Sequence, residues 1–102
     1  MKEITALQLK QKLDNGEKIV LIDVREPHEH EEFNIGGLLI PLGEIPASKE
    51  KLSGLEDSEI VLYCRSGNRS AMAQKLLATL HGITNTINLR GGMNSWRDEI
   101  KV

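Results

Sequence analysis

The chain has 102 residues, with 13 lysines and arginines against 15 aspartates and glutamates, for a formal charge of −2 at pH 7. That length suits one compact domain with a modest core, and the mixed charge order, with one Trp, one Tyr and one Phe, offers neither a basic stripe nor a stacking platform for nucleic acid. The start, Met1-Lys2-Glu3-Ile4-Thr5, has no apolar signal core, and no apolar run is long enough to span a bilayer, so a cytoplasmic protein without a membrane partner is expected.

Thr5 and Gln8 are spaced as a capping box, and Ala6, Leu9 and Leu13 then recur at helical spacing until Asn15-Gly16 ends the run. Ile19 to Ile22 is a continuous apolar run rich in β-branched residues, the mark of a strand covered on both faces, and it leads into Asp23-Val24-Arg25-Glu26. Pro27 opens a short helix through Phe33, Gly36-Gly37 marks a turn, and Leu38 to Ile40 forms a short strand limited by Pro41. Pro46 is expected to open a further helix to about Leu55, with Ile45 and Leu52 on its buried side. Ile60 to Tyr63 is the second strong strand. After it, Ala73, Leu76, Leu77 and Leu80 follow the i, i+3, i+4, i+7 pattern of an amphipathic helix that His81-Gly82 terminates. Thr86 to Leu89 is a last strand, and Gly91-Gly92 turns into a terminal helix carrying Trp96.

Strands alternating with helices, joined by connections too long for hairpins, predict an α/β fold with a mainly parallel sheet of about four to five strands and helices on both faces. No repeat or linker divides residues 1–102, so one domain is expected. In such sheets ligands bind beyond the carboxyl ends of the strands. Asp23, Cys64 and Arg90 all stand at strand ends on that rim.

Cys64 is the single cysteine, so it has no disulfide partner, and with three scattered histidines it makes no metal-ligand spacing. A lone cysteine is commonly a small buried hydrophobe. Here it stands where Ile60-Val61-Leu62-Tyr63 gives way to the turn Arg65-Ser66-Gly67-Asn68-Arg69, with Ser70 placed to cap the helix that follows. Inward amides, a helix N-terminus and two arginines would lower the thiol pKa and hold an anion above it. Cys64 is thus the candidate nucleophile, and Arg65, Ser66, Gly67, Asn68 and Arg69 are the candidate substrate cradle. No histidine lies near Cys64 in sequence to act as a base. His28 and His30 are expected on an exposed acidic helix, and His81 at a helix end complements the dipole.

The segment Tyr63-Cys64-Arg65-Ser66-Gly67-Asn68-Arg69-Ser70 resembles the active-site loop of single-domain rhodaneses, which are sulfurtransferases. Ile22-Asp23-Val24-Arg25-Glu26-Pro27-His28-Glu29 and Leu89-Arg90-Gly91-Gly92-Met93-Asn94-Ser95-Trp96 extend the resemblance over nearly the whole chain. Four residues lie between Cys64 and Arg69; related cell-cycle phosphatases have a Cys-x5-Arg loop, one residue longer. The resemblance implies that the shorter loop fits a sulfane sulfur, which sets aside phosphatase or arsenate reductase chemistry.

What the resemblance implies is a ping-pong cycle: Cys64 takes sulfur from a small anionic donor such as thiosulfate, and a thiol, cyanide or protein acceptor collects it. No cofactor is expected. Arg65 and Arg69 would orient the donor, with Arg69 expected to matter more than Arg97, while Asp23, Arg25 and Ser70 support the loop and Trp96 packs in the core. The alternative is a persulfide carrier or sulfur-sensing module that delivers to a specific protein partner. One departure stands out. Where the family often has Gly-His-Ile-Pro-Gly-Ala, this chain has Phe33-Asn34-Ile35-Gly36-Gly37-Leu38, with Asn34 in place of the histidine.

Overall fold

The computed structural model describes residues 2–100. Its first helix, α1 (Ala6–Asp14), begins with the capping box: Gln8 N–H donates to Thr5 Oγ1 at 3.1 Å and Thr5 N–H to Gln8 Oε1 at 2.9 Å. Around it the chain runs β1 (Lys2–Ile4), β2 (Ile19–Asp23), α2 (Pro27–Glu32), β3 (Leu38–Leu39), a 3-10 helix (Leu42–Ala47), β4 (Glu59–Tyr63), α3 (Asn68–His81), β5 (Thr86–Leu89) and α4 (Gly92–Ile100). The five strands form one sheet in the order β1-β5-β4-β2-β3, and every pairing is parallel.

Side-chain alternation explains why the central strands read as unbroken apolar runs. Val20 and Ile22 of β2 with Ile60 and Leu62 of β4 face a core shared with Ala73 and Leu77 of α3 and Ile45 of the 3-10 helix. Leu21, Val61 and Tyr63 face the opposite core, against Ala6 and Leu9 of α1 and Met93 and Trp96 of α4. Helices therefore cover both faces, and the apolar residues of β2 and β4 pack into one core or the other. The parallel crossovers gather the carboxyl ends of β2, β4 and β5 on one rim.

Three elements depart from the sequence reading. The strand β1 was not expected: three residues, two of them exposed, carry no usable alternation, and it exists because it pairs with β5, Lys2 opposite Ile87 through Ile4 opposite Leu89. The helix expected from Pro46 to Leu55 is absent. Pro46 lies inside the 3-10 helix, Ser48 closes it by donating its hydroxyl to Ile45 O at 2.6 Å, and Leu52, Ser53 and Leu55 then make i to i+3 turns. Ile45 and Leu52 are nonetheless buried as expected.

The third departure is in α3, whose buried stripe is Ser70, Ala73, Gln74 and Leu77. Leu80, read as core, is 51% exposed. Two of the four stripe residues are polar, and Gln74 is satisfied by donating Nε2–H to Lys2 O at 3.1 Å and Thr86 O at 3.0 Å. A hydropathy pattern alone shifts that stripe toward the helix end. Leu77→Ala should cost about 2–5 kcal/mol in urea unfolding, and Leu80→Ala within about 0.5 kcal/mol; equal losses would put Leu80 back in the core.

Candidate active site

Cys64 directly follows β4, and its loop is shaped from the opposite side by α4. Met93 N–H donates to Cys64 O at 2.9 Å and Asn94 N–H to Arg65 O at 3.0 Å, so the free amides at the start of α4 hold the first two loop carbonyls. Gly92 permits this approach. A Cβ there would stand 2.3 Å from Cys64 O, and its φ of +55° is left-handed.

With those carbonyls turned to α4, the loop amides are free to face the sulfur. Gly67 N–H donates to Cys64 Sγ at 3.0 Å and Ser70 N–H at 3.4 Å, with Ser70 Oγ also 3.4 Å from the sulfur. Cys64 is 1% exposed. Burial pushes its thiol up, but the Ser70 hydroxyl and the Ser70, Gly67 and Ser66 amides outweigh burial and hold it below the ordinary 9.0. That combination eases ionisation of the thiol while shielding it from bulk solvent.

The helix cap differs from expectation. Gly67, at φ +100°, is the N-cap of α3, while Ser70 lies within the helix with its Oγ 3.2 Å from Gly67 O. A left-handed turn lets Gly67 send its amide to sulfur and its carbonyl to Ala71 N–H, 3.1 Å away. Ser66 and Asn68 are exposed, so what the loop brings to Sγ at those positions is backbone: the Ser66 amide contributes, and the Asn68 side chain makes no contact with it among the described residues.

The two loop arginines part company. Arg69 makes a bidentate pair with Glu29 of α2, 2.7 and 3.0 Å, whereas Arg65 is exposed and lines a cavity of about 310 Å³ with Arg25, Glu29, Glu32, Met93 and Arg97. Arg25 is neutralised by Asp23 at 2.8 Å and Glu29 by Arg69. Neither Arg65 nor Arg97 makes an ion pair with a described residue, so only Glu32 opposes them and the cavity favours an anion. Arg97 is held over the Phe33 ring, 4.8 Å from its centroid.

Asp23 and Arg25 act one step back from the loop. Asp23 is fully buried and accepts from Arg25 Nε at 2.9 Å, Arg25 N–H at 3.0 Å and His30 Nδ1–H at 2.8 Å, while Arg25 also donates to Phe33 O at 2.6 Å. This cluster fastens α2 to the end of β2, and Glu29 on α2 then fastens Arg69. His30 is therefore half-buried and bonded rather than merely exposed on an acidic helix; His28 is exposed as expected. Asn34 replaces the family histidine without leaving a gap: it donates to His30 O and accepts from Gly36 N–H, both at 2.8 Å. His81 sits in the last turn of α3, where Nε2–H donates to Ile45 O at 2.9 Å.

Sequence reasoning missed Glu29 and Asn88. Glu29 was one acid among several, though its place in the first turn of α2 was a signal. Asn88 is 4% exposed and reaches from β5 to Gly67 O and Ser70 Oγ. Its signal was an amide inside an apolar strand, which needs partners when buried.

A buried thiol under inward amides at the carboxyl rim of a parallel sheet defines a thiolate-cradle α/β domain. The family model for the Rhodanese-like domain matches residues 5–99, and the chain belongs to that family. It is 41% identical over 102 residues to a Bacillus subtilis (strain 168) protein named "Putative sulfurtransferase YtwF", covering 99% of this chain and 95% of that one. It is also 39% identical over 95 residues to "Putative sulfur carrier protein YrkF" of the same organism, covering 92% of this chain but only half of that protein's length. The crystal structure of a rhodanese-related protein from Thermoplasma volcanium superposes with a TM-score of 0.81 at 28% identity, covering 97% of this chain and 93% of the other. These relatives support a rhodanese-like role in sulfur transfer.

The Arg69 hydrogen bonds hold Glu29 at a pKa of about 2, against the ordinary 4.5. The folded-state pKa is depressed, so the pair stabilises the fold above about pH 4.5 and is lost as pH falls toward about 2. Glu29→Gln should therefore be less stable than wild type at neutral pH, with the gap closing across that window in urea unfolding. A gap that stays constant down to pH 2 would remove the pair from the stability of the loop.

Proposed function

We propose that the protein is a sulfurtransferase in which Cys64 carries sulfane sulfur as a persulfide. The Cys64 thiolate attacks the outer sulfur of thiosulfate or a similar anionic donor, the donor S–S bond breaks, and sulfite leaves with the electron pair. A thiophilic acceptor such as cyanide, a thiol or a protein cysteine then attacks the outer sulfur, and Cys64 leaves as thiolate. The observation that carries this reading is the sulfur itself, held by the Gly67 and Ser70 amides, donors suited to a negative sulfur.

Arg65 and Arg97 are the residues we assign to the donor anion, since both line the cavity beside the loop and neither has an ion-pair partner among the described residues. Arg69, bound to Glu29, serves the loop's shape. A cycle through a reduced cysteine suits the cytoplasm. A second reading, a persulfide carrier delivering sulfur to a specific protein, draws support from the similarity to YrkF, named for sulfur carriage.

Incubation with thiosulfate should add one sulfur by intact mass, removable by cyanide, and Cys64→Ser should gain none. Arg65→Ala and Arg97→Ala should each raise the KM for thiosulfate by about tenfold, the scale of one charge-assisted contact, with kcat little changed. Equal labelling of the serine variant contradicts the persulfide. If neither arginine alters KM, the anion site lies elsewhere. Fast turnover with cyanide favours the enzyme; labelling followed by transfer to a protein acceptor alone favours the carrier.

A further inference from the structure

Ser70 Oγ lies within hydrogen-bond distance of three groups: Asn88 Oδ1, which is nearest, Gly67 O at 3.2 Å and Cys64 Sγ at 3.4 Å. A serine hydroxyl has one hydrogen to give. The orientation of the Asn88 amide decides where it goes. Gly67 O only accepts, so the Asn88 group 3.1 Å from it is Nδ2–H, which leaves Oδ1 facing Ser70. Oδ1 also only accepts and is nearer than Gly67 O, which already receives Ala71 N–H and Asn88 Nδ2–H, so the Ser70 hydrogen points to Asn88 and a Ser70 lone pair points to sulfur.

That arrangement suits a protonated Cys64, whose S–H donates to Ser70 Oγ, which donates in turn to Asn88 Oδ1. A thiolate reverses the requirement. It has no hydrogen to give and gains from receiving one, so the Ser70 hydroxyl must turn from Asn88 to Sγ and leave Oδ1 unpaired. Ser70 is fully buried and Asn88 is 4% exposed, so bulk water does not replace the lost partner.

We propose that Asn88 is a positioning residue for the sulfur chemistry: by competing with the thiolate for the single Ser70 hydrogen, it keeps resting Cys64 protonated until the sulfur is called upon. The Sγ proton leaves to solvent water, and the Ser70 hydrogen stays on its oxygen and only turns. The importance of this for turnover rests on Cys64 being the sulfur acceptor. The hydrogen-bond switch itself does not, and can be read without any sulfur donor.

Other charged and titratable groups that border the loop and its cavity include Tyr63, Arg65, Arg69 with Glu29, Asp23 with Arg25 and His30, Arg90 with Glu3, and His28, Glu32 and Arg97. None of them hydrogen-bonds to Ser70 or Asn88 among the described residues. Substitution at Asn88 thus changes the hydroxyl's choice of partner while leaving these charges in place.

The test is the ionisation of Cys64 followed by thiolate absorbance and by iodoacetamide alkylation across pH. Asn88→Ala should lower the midpoint by about one pH unit, a tenfold gain in thiolate-to-thiol ratio at fixed pH. Ser70→Ala should raise it, and in that background Asn88→Ala should no longer lower it, because the one Asn88 contact that remains, Nδ2–H to Gly67 O, supports the amide that donates to Sγ. An unchanged midpoint in Asn88→Ala, or the same shift in the Ser70→Ala background, overturns the proposal. In wild type, which avoids any folding defect of a variant, the Asn88 side-chain carbonyl carbon should titrate by NMR with the Cys64 midpoint; a carbonyl that does not move overturns it as well. Loss of sulfur uptake from thiosulfate with these midpoints intact would count against the sulfurtransferase reading alone.

Discussion

Everything at this site depends on which way the peptide groups of one loop point. A peptide has a donor on one edge and an acceptor on the other, so amides can converge on Cys64 Sγ only if the carbonyls between them are satisfied elsewhere. The first turn of α4 supplies that elsewhere, with Met93 and Asn94 taking the Cys64 and Arg65 carbonyls. Helix α3 and β5 supply the rest: Ala71 N–H and Asn88 Nδ2–H both donate to Gly67 O. Two helix N-termini thus act together on one short loop, each using donors that a helix start leaves free.

The surrounding fold can be understood as support for that orientation. Parallel pairing brings the ends of β2, β4 and β5 to a common rim, and apolar cores on both faces fix the strands from which the loop departs. The charged cluster at the rim is layered outward. Asp23 is saturated by Arg25 and His30, which ties α2 down, and α2 presents Glu29 to Arg69 at the start of α3. Buried ion pairs contribute little net stability when desolvation is counted. Their value here is geometric, since the same charges set where α2 and α3 meet. Arg65 and Arg97, left outside this bracing, give the cavity its preference for anions.

Much of this was legible in the sequence because it rests on local signals. The strands β2 and β4 are apolar on both faces, α1 carries its own capping box, and the Tyr63 to Ser70 segment states its motif in contiguous residues. What was not legible depends on partners distant in sequence. The strand β1 is defined by β5, more than eighty positions away by the Lys2 to Ile87 pairing. Arg69 reads as a free cation until Glu29 is brought to it, and Asn88 reads as one polar residue in a strand until Gly67 and Ser70 arrive beside it. The helix expected from Pro46 to Leu55 gives way to 3-10 turns, with Pro46 inside the 3-10 helix and Ser48 closing it on Ile45. In α3 two buried polar residues with dedicated partners hid the true stripe.

The loop's peptide orientation makes a claim that one titration addresses. The pKa of Cys64 should be measured on the native protein and again on the same protein unfolded in urea. Unfolding removes the Gly67 and Ser70 donors along with burial, leaving an ordinary thiol near 9.0. The account predicts a lower pKa in the folded state. A folded value equal to or above the unfolded one would mean that burial wins over the amides, and the cradle would not be a thiolate site.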